Sequence, residues 1–171
     1  MVSNEEISVN KRNGRGKESL QIDKIHAMVG FATEGITGVS ASHVEMNSGI
    51  QLFDGISTAD IQQILIKSAN DLITLENPNY QYVAARLLLF SLRKQLFHRL
   101  WDHPKLIDHI KKLIDMGLYD KDILVNYDES EIDRMNMWID HERDYNFTYA
   151  GLRQVMDKYL VQDRSTGEIF E

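Results

Sequence analysis

Hydrophobic residues recur at helical spacing over most of this chain and alternate with polar residues only near its two ends. The clearest helix begins at Ser57 or Thr58, either of which is a suitable N-cap, and has one apolar face at i, i+3, i+4 and i+7 spacing. That face consists of Ile61, Ile64, Leu65, Ser68, Ala69, Leu72 and Ile73. From Tyr80 to Phe97 the chain is apolar on almost every side, which predicts a buried helix whose Arg and Lys side chains either leave the core or meet an anion.

Shorter stretches with the same spacing predict further helices. One begins at Asp23, in the N-cap position, and ends at Gly35, and a second begins at Ser40. A third follows Pro104 and stops at Gly117. The remaining two cover Ile132 to Ile139 and Tyr149 to Leu160.

Alternating apolar and polar residues predict a β-hairpin near each end of the chain. Ile7 to Lys11 and Ser19 to Ile22 alternate on either side of Asn13-Gly14, a strong signal for a tight turn. Two apolar pieces around Thr166-Gly167 predict the second hairpin. The fold class is therefore mainly α, and we place a boundary between two domains, 1–97 and 98–171.

Charge is spread unevenly along the 171 residues. Residues 1–100 hold ten Lys or Arg and ten Asp or Glu, whereas residues 101–171 hold nine and sixteen, a net charge of -7. The acidic second half argues against a nucleic-acid surface. The absence of cysteine excludes a zinc-thiolate site, a thiol nucleophile and a disulfide framework. With no long uncharged apolar run, we expect a soluble cytoplasmic protein without a membrane segment.

Four cations crowd the tip of the first predicted hairpin, between Lys11 and Lys17. Gly14-Arg15-Gly16-Lys17 does not have the spacing of a Walker A loop, and Glu18 stands where that motif has a hydroxyl residue. Two interpretations remain for the tip: a solvated turn, or an anion site in which Lys and Arg bind phosphate.

The six histidines do not predict a metal site or a catalytic site. His103 and His109 are six residues apart and do not share a helical face, so we interpret them as unpaired surface residues. The Asp140 to Asp144 segment is dense in charge and is interpreted as a structural ion-pair cluster. The sequence shows no nucleophile beside a base, so no catalytic residue is assigned.

Taken in order, the motifs of the chain resemble the N-terminal part of the large (α) subunit of class I ribonucleotide reductase, of the enterobacterial and large-tailed-phage type. The motifs are Val9-x-Lys11-Arg12-x-Gly14, Asp23-Lys24-Ile25, Thr58-x-Asp60-Ile61, Pro78-x-Tyr80-Gln81-Tyr82-x-Ala84-Ala85-Arg86, Leu92-Arg93-Lys94, Tyr119-Asp120, Asp140-His141-Glu142-Arg143-Asp144, Phe147-x-Tyr149-Ala150, Lys158-Tyr159-Leu160-Val161 and Thr166-Gly167-Glu168-Ile169. The likeness runs from about Ile7 to Glu171.

The resemblance implies an ATP-cone in residues 1–97, which is a small β-hairpin or three-stranded cap on a four-helix bundle that binds ATP or dATP as an allosteric effector, with Mg²⁺. It implies phosphate contacts from Lys11, Arg12, Lys24 and Lys94. It also implies base and ribose contacts from Glu18, Gln21 and the backbone up to Lys24, with Thr58 in reach. Val9, Ile25, Ile61 and Phe90 would pack around the base.

The chain differs from the proteins that it resembles at several positions of the effector site. Gln62 and Ser91 replace two histidines, Gln21 replaces an asparagine, and the hairpin is one residue longer around Arg15 to Lys17. Gln keeps hydrogen bonding without the imidazole ring, and Ser is much shorter. Our hypothesis is that the site discriminates weakly between ATP and dATP.

Residues 98–171 resemble the helical segment that leads into the catalytic barrel of the reductase. The resemblance implies a regulatory and structural part that docks on a separately encoded barrel and works with the radical-generating small (β) subunit. Without cysteine, the chain is expected to be inactive alone. The alternatives are a free-standing nucleotide sensor and a non-functional remnant of a split gene.

Overall fold

The fold is mainly α-helical with small β-sheets, as the hydrophobic pattern predicts. The computed structural model describes residues 7–11, 16–49, 53–100 and 102–171. These residues divide into two compact units. The first contains the described residues up to Ser91 together with Phe147–Leu152, and the second contains Leu92–Asn146 and Arg153–Glu171.

A three-stranded sheet lies in the first unit, with strand order β2-β1-β3. β1 (Ser8–Asn10) and β2 (Lys17–Ser19) pair antiparallel, which confirms the hairpin, while β3 (Ile56–Ser57) pairs parallel to β1. The second strand was expected at Ser19 to Ile22, but Ile22 already begins a helix. The predicted Asn13-Gly14 turn lies outside the described residues.

The helices of the first unit are α1 (Ile22–Thr33), α2 (Ala41–Gly49), α3 (Thr58–Asp71) and the part of α4 (Tyr80–Phe97) up to Ser91. The prediction of Asp23 as the N-cap of α1 is wrong, because Gln21 occupies that position. Asp23 lies in the first turn, where its negative charge interacts favourably with the helix dipole. Ser57 caps α3, because its Oγ accepts the N–H of Asp60 at 3.0 Å.

The core of the first unit forms around α3 and α4. The predicted face of α3 is buried at Ile61, Leu65, Ser68 and Ala69. The apolar α4 is covered on several sides, as expected for a helix without a solvent face; its fully or nearly buried residues here are Tyr80, Val83, Ala84, Ala85, Leu87, Leu88, Leu89 and Phe90. Burial of this apolar surface is the main favourable contribution to folding of the unit.

The second unit contains short elements. They are the end of α4, α5 (Leu106–Asp115), α6 (Ile123–Asn126), α7 (Glu129–Asn136), a 3₁₀ helix (His141–Asn146), α8 (Tyr149–Lys158) from Arg153 onward, β4 (Gln162–Asp163) and β5 (Glu168–Ile169). Sequence periodicity did not predict α6 or the 3₁₀ helix. The antiparallel pairing of β4 and β5 confirms the second hairpin.

Helix α7 begins three residues before the predicted Ile132. Asp128 and Glu131 form a capping box, in which each side chain accepts the backbone N–H of the other residue. The helix then places Ile132 against Ile107 and Ile110 of α5, the buried cluster of this unit. The last three residues of the predicted helix, residues 137–139, lie beyond its end.

The interpretation of His103 as an unpaired surface residue is wrong. Its ring stacks on that of His141, with 3.6 Å between ring centroids, and lies edge-on to Phe97. Burial, followed by the nearby positive charge of Arg93, lowers the pKa of His103 to about 4. The neutral ring is therefore the form that the folded unit favours at neutral pH.

Arg93, on the buried helix, meets an anion, which is one of the two alternatives that the sequence left open for its cations. It is 4% exposed, and its guanidinium donates to Asp144 Oδ2 at 2.9 Å, to Tyr145 Oη at 3.0 Å and to the carbonyl of His141 at 3.4 Å. One buried cation thereby anchors the 3₁₀ helix.

Among the described residues, no helix combines the length and the apolar character that crossing a membrane requires.

Candidate nucleotide site

Two lysines from different elements converge on one carboxylate at the edge of the three-stranded sheet. Lys11 Nζ lies 3.1 Å from Glu18 Oε2, and Lys24 Nζ lies 3.8 Å from Glu18 Oε1. The lysine side chains are 45% and 64% exposed, and that of Glu18 is 28% exposed. The hydrogen bond from Lys11 is the main cause that holds the pKa of Glu18 below its usual range. Both ammonium groups are therefore accessible to an anion that approaches from solvent.

Local structure explains why these three residues meet. Lys11 directly follows β1, Glu18 lies opposite Val9 on β2, and Lys24 is in the first turn of α1. The N–H of Lys11 donates to the carbonyl of Gly16 at 3.0 Å, which continues the hairpin past its last strand pair. Gly16 adopts a φ of 100°, a conformation that favours glycine.

The parallel strand β3 brings the start of α3 to the same sheet. Asn10 pairs with Ser57 in these parallel strands. Lys11 and Thr58, the residues that follow them, therefore lie at the same end of the sheet. Asn10 Nδ2 also donates to the carbonyl of Gly55 at 2.6 Å. The sequence did not indicate this pairing, because a two-residue strand has no alternation of its own.

Asp54 stabilises the other end of β1 through hydrogen bonds that the sequence did not indicate. Its Oδ1 accepts both the N–H and the Oγ–H of Ser8, each at 2.8 Å. These bonds hold the pKa of Asp54 below its usual range. The sequence did not indicate these bonds, because Ser8 and Asp54 are 46 residues apart along the chain.

The four apolar residues predicted to surround a base belong to the first unit, Val9 on β1, Ile25 on α1, Ile61 on α3 and Phe90 on α4. Val9 is 3% exposed, Ile61 8% and Phe90 2%, while Ile25 is partly exposed. Val9 lies on the central strand, between Glu18 of β2 and Ile56 of β3.

Gln62 is part of the core instead of the surface. It is 3% exposed, and its Nε2 donates to the carbonyl of Leu87 on α4 at 2.9 Å. Ser91 lies one helical turn beyond Leu87 and is 8% exposed. The two positions where histidine is replaced are therefore neighbours at the α3–α4 packing surface, and the Gln62 amide satisfies a backbone group there.

The remaining predicted residues are placed as follows. Gln21 is exposed at the N-cap of α1. Lys94 is exposed in the last turn of α4, in the part of that helix that belongs to the second unit. Arg12 lies outside the described residues. Within the part of the chain that the structure describes, no group of three or more His, Asp or Glu could hold a metal ion.

Residues 7–95 match the ATP cone domain family. Over 168 residues, 98% of this chain, the sequence is 47% identical to ribonucleoside-diphosphate reductase 1 subunit alpha of Escherichia coli (strain K12) and 48% identical to the alpha subunit of Haemophilus influenzae. The alpha subunit of Enterobacteria phage T4 is 42% identical over 165 residues, 96% of this chain. In each case the match covers 22% of the relative, so the chain spans about a fifth of the length of these proteins.

Proposed function

Because this chain belongs to the ATP-cone family, we propose that its first unit binds ATP or dATP as an allosteric effector. The observation that carries the proposal is the convergence of Lys11 and Lys24 beside the start of α3. Two ammonium groups that share a single carboxylate retain net positive charge, which attracts a polyphosphate. Exposed ion pairs contribute little to stability, so stabilisation of the sheet does not explain why two lysines meet here.

The site divides into a phosphate end and a base end. Lys11 and Lys24, with Arg12, would bind the phosphates, and Mg²⁺ would arrive on the phosphate oxygens of the nucleotide. Glu18, Gln21 and Thr58 would contact the base or ribose. The buried Val9, Ile61 and Phe90 would lie under the base, with Ile25 beside it. This assignment follows the family resemblance, and the burial of the apolar set supports it.

Calorimetric titration with ATP and with dATP tests the proposal. We expect both nucleotides to bind, with affinities that differ by no more than about threefold, because Gln62 is committed to the Leu87 carbonyl and Ser91 is too short to replace an imidazole. Inorganic phosphate, matched for ionic strength, is the control for nonspecific anion binding. Absence of binding would overturn the function, and a dATP affinity far above that for ATP would overturn the weak discrimination.

We further propose that the chain is a regulatory and structural part of ribonucleoside-diphosphate reductase, that it works in the cytoplasm and that it docks on the catalytic part of the large subunit. This chain covers only 22% of the length of these relatives, and the apolar run Met137-Trp138-Ile139 suits a contact with the catalytic part. Met137 is 74% exposed, Trp138 78% and Ile139 45%. The run is preorganised: Trp138 N–H donates to the carbonyl of Met135 at 3.0 Å, and Arg93 anchors the segment that follows.

Docking is tested with the remainder of a relative's large subunit, beyond the matched region, as the probe. We expect Trp138→Ala to weaken capture of this chain about tenfold or more, because a large exposed aromatic residue in a fixed conformation is a typical hot spot. Tyr159→Ala is the matched control, since Tyr159 is 71% exposed in the same unit. Reconstituted CDP reduction that requires this chain, the barrel chain and the small subunit would support the reductase role. Equal capture of both variants would contradict the Trp138 surface, and sequence-specific DNA binding without capture would favour the free-standing sensor.

A further inference from the structure

The exposed apolar run at 137–139 is attached to the rest of the second unit on both of its sides. Before the run, the N–H of Leu106 donates to Asn136 Oδ1 at 2.9 Å. After the run, the ring of His141 stacks on the ring of His103, with 3.6 Å between the centroids and 14° between the ring planes. The attachment after the run is therefore made by two groups that can take up a proton.

Beside this stack, one carboxylate is shared by two neighbours of His103. Oδ2 of Asp144 accepts from the Arg93 guanidinium at 2.9 Å and lies 3.7 Å from Nδ1 of His141. Arg93 is 4% exposed, so solvent screens its positive charge poorly. A proton on His103 would add a second positive charge near that guanidinium, and Asp144 is already paired.

The other groups around His103 also favour the neutral ring. Asp102, the preceding residue, is 70% exposed and pairs with Arg99, so it attracts a proton on His103 only weakly. Phe97 meets the imidazole edge-on, with 5.9 Å between ring centroids, and contributes to its burial. Burial is the main reason why the pKa of His103 falls to about 4.

We propose that the stack of neutral His103 on His141 is a pH-sensitive clasp that fixes the apolar run at 137–139. When the pH falls, the protonated ring of His103 is more stable in water than beside Arg93, so the stack opens. The run then loses an attachment on its C-terminal side. The proposal concerns the conformation of the second unit and goes beyond the proposed function, because it requires neither nucleotide binding nor docking.

Protonation favours the open form of the clasp. In that form the His103 ring lies in water and has the ordinary pKa of 6.5, whereas in the closed form its pKa is about 4. The open form therefore binds more protons between these two values, and the closed form, which is fully favoured above pH 6.5, is lost progressively as the pH falls toward 4. Between pH 7.5 and pH 5 the full difference raises the opening constant about 30-fold, and solvent screening of a half-buried ring reduces our expectation to about tenfold.

NMR titration of the imidazole resonances from pH 7.5 down to pH 4 tests the clasp. We expect His103 to titrate well below 6.5 and the indole N–H resonance of Trp138 to shift with the same midpoint. In His103→Phe, which keeps an aromatic ring without a titrating group, that shift of Trp138 should disappear. His26→Phe is the matched control, because His26 is 55% exposed and pairs with Glu45 in the first unit. It should leave the Trp138 titration unchanged.

Urea denaturation at pH 7.5 and at pH 5 measures the same effect independently. The unfolding constant of the unchanged protein should rise about tenfold more than that of His103→Phe, because the carboxylates titrate alike in both proteins. His103→Gln, which keeps a polar side chain, is a second variant with the same expected result. Titration of His103 near 6.5, a Trp138 resonance that does not follow it, or equal pH dependence of stability in the unchanged protein and the variants would each overturn the clasp.

Discussion

Replacing Lys11 and Lys24 together with alanine is expected to lower the affinity of the chain for ATP at least about 100-fold. Hydrogen bonds to charged groups contribute about 1.5 to 3 kcal/mol each, and about 1.4 kcal/mol is a factor of ten in affinity. Calorimetric titration of both proteins at one ionic strength measures the effect.

A double variant elsewhere in the chain controls for the loss of two positive charges. Lys67 and Lys111 are 65% and 46% exposed, almost the same as Lys24 and Lys11, and each of them also pairs with a carboxylate. Lys67→Ala/Lys111→Ala should bind ATP nearly as the unchanged protein does. A similar loss in both double variants would show that net charge alone attracts the nucleotide, and would contradict a site at the sheet edge.

Replacing Arg93 with alanine is expected to lower the free energy of unfolding by about 3 kcal/mol, the lower end of the range for breaking a buried ion pair. The guanidinium is 4% exposed and donates to three groups of the 3₁₀ helix, which would all lose their partner. Asp144 is 35% exposed and regains water, so the loss does not reach the upper end of that range. Urea denaturation followed by circular dichroism measures the change.

Two variants test the cause of that loss. Arg93→Lys keeps the charge but not the planar fork that reaches Asp144 and Tyr145 together, so we expect it to recover only part of the stability. Arg153→Ala removes an exposed arginine, which is 45% exposed and pairs with Asp157, and should cost less than about 1 kcal/mol. A loss below about 1 kcal/mol for Arg93→Ala would contradict an anchoring role.

Arg93 illustrates how much of a buried ion pair the sequence can predict. The pattern from Tyr80 to Phe97 predicted a buried helix whose cations either leave the core or meet an anion, and Arg93 is buried and meets an anion. The identity of the anion could not be predicted. Asp144 is 51 residues away and was interpreted only as part of a charged cluster.

The histidines show an interaction that the sequence could not predict. Spacing along one helix is a local criterion, and it led to the interpretation of His103 and His109 as unpaired, although both rings lie edge-on to Phe97. It carries no information about His141, which stacks on His103 from another element. Burial of His103 lowers its pKa, an effect that no sequence pattern indicates.

At the candidate nucleotide site, the sequence by itself determined the hairpin, the cluster of cations, the apolar helices α3 and α4 and the resemblance to an ATP-cone. These follow from the period of hydrophobic residues, from turn chemistry and from motifs in order, all of which are local or linear properties. Only the tertiary structure decided that β3 pairs with β1, that Gln62 is bonded to the Leu87 carbonyl, and that Glu18 lies between Lys11 and Lys24. Each of these depends on which elements pack together, and packing joins residues whose separation along the chain leaves no periodic trace.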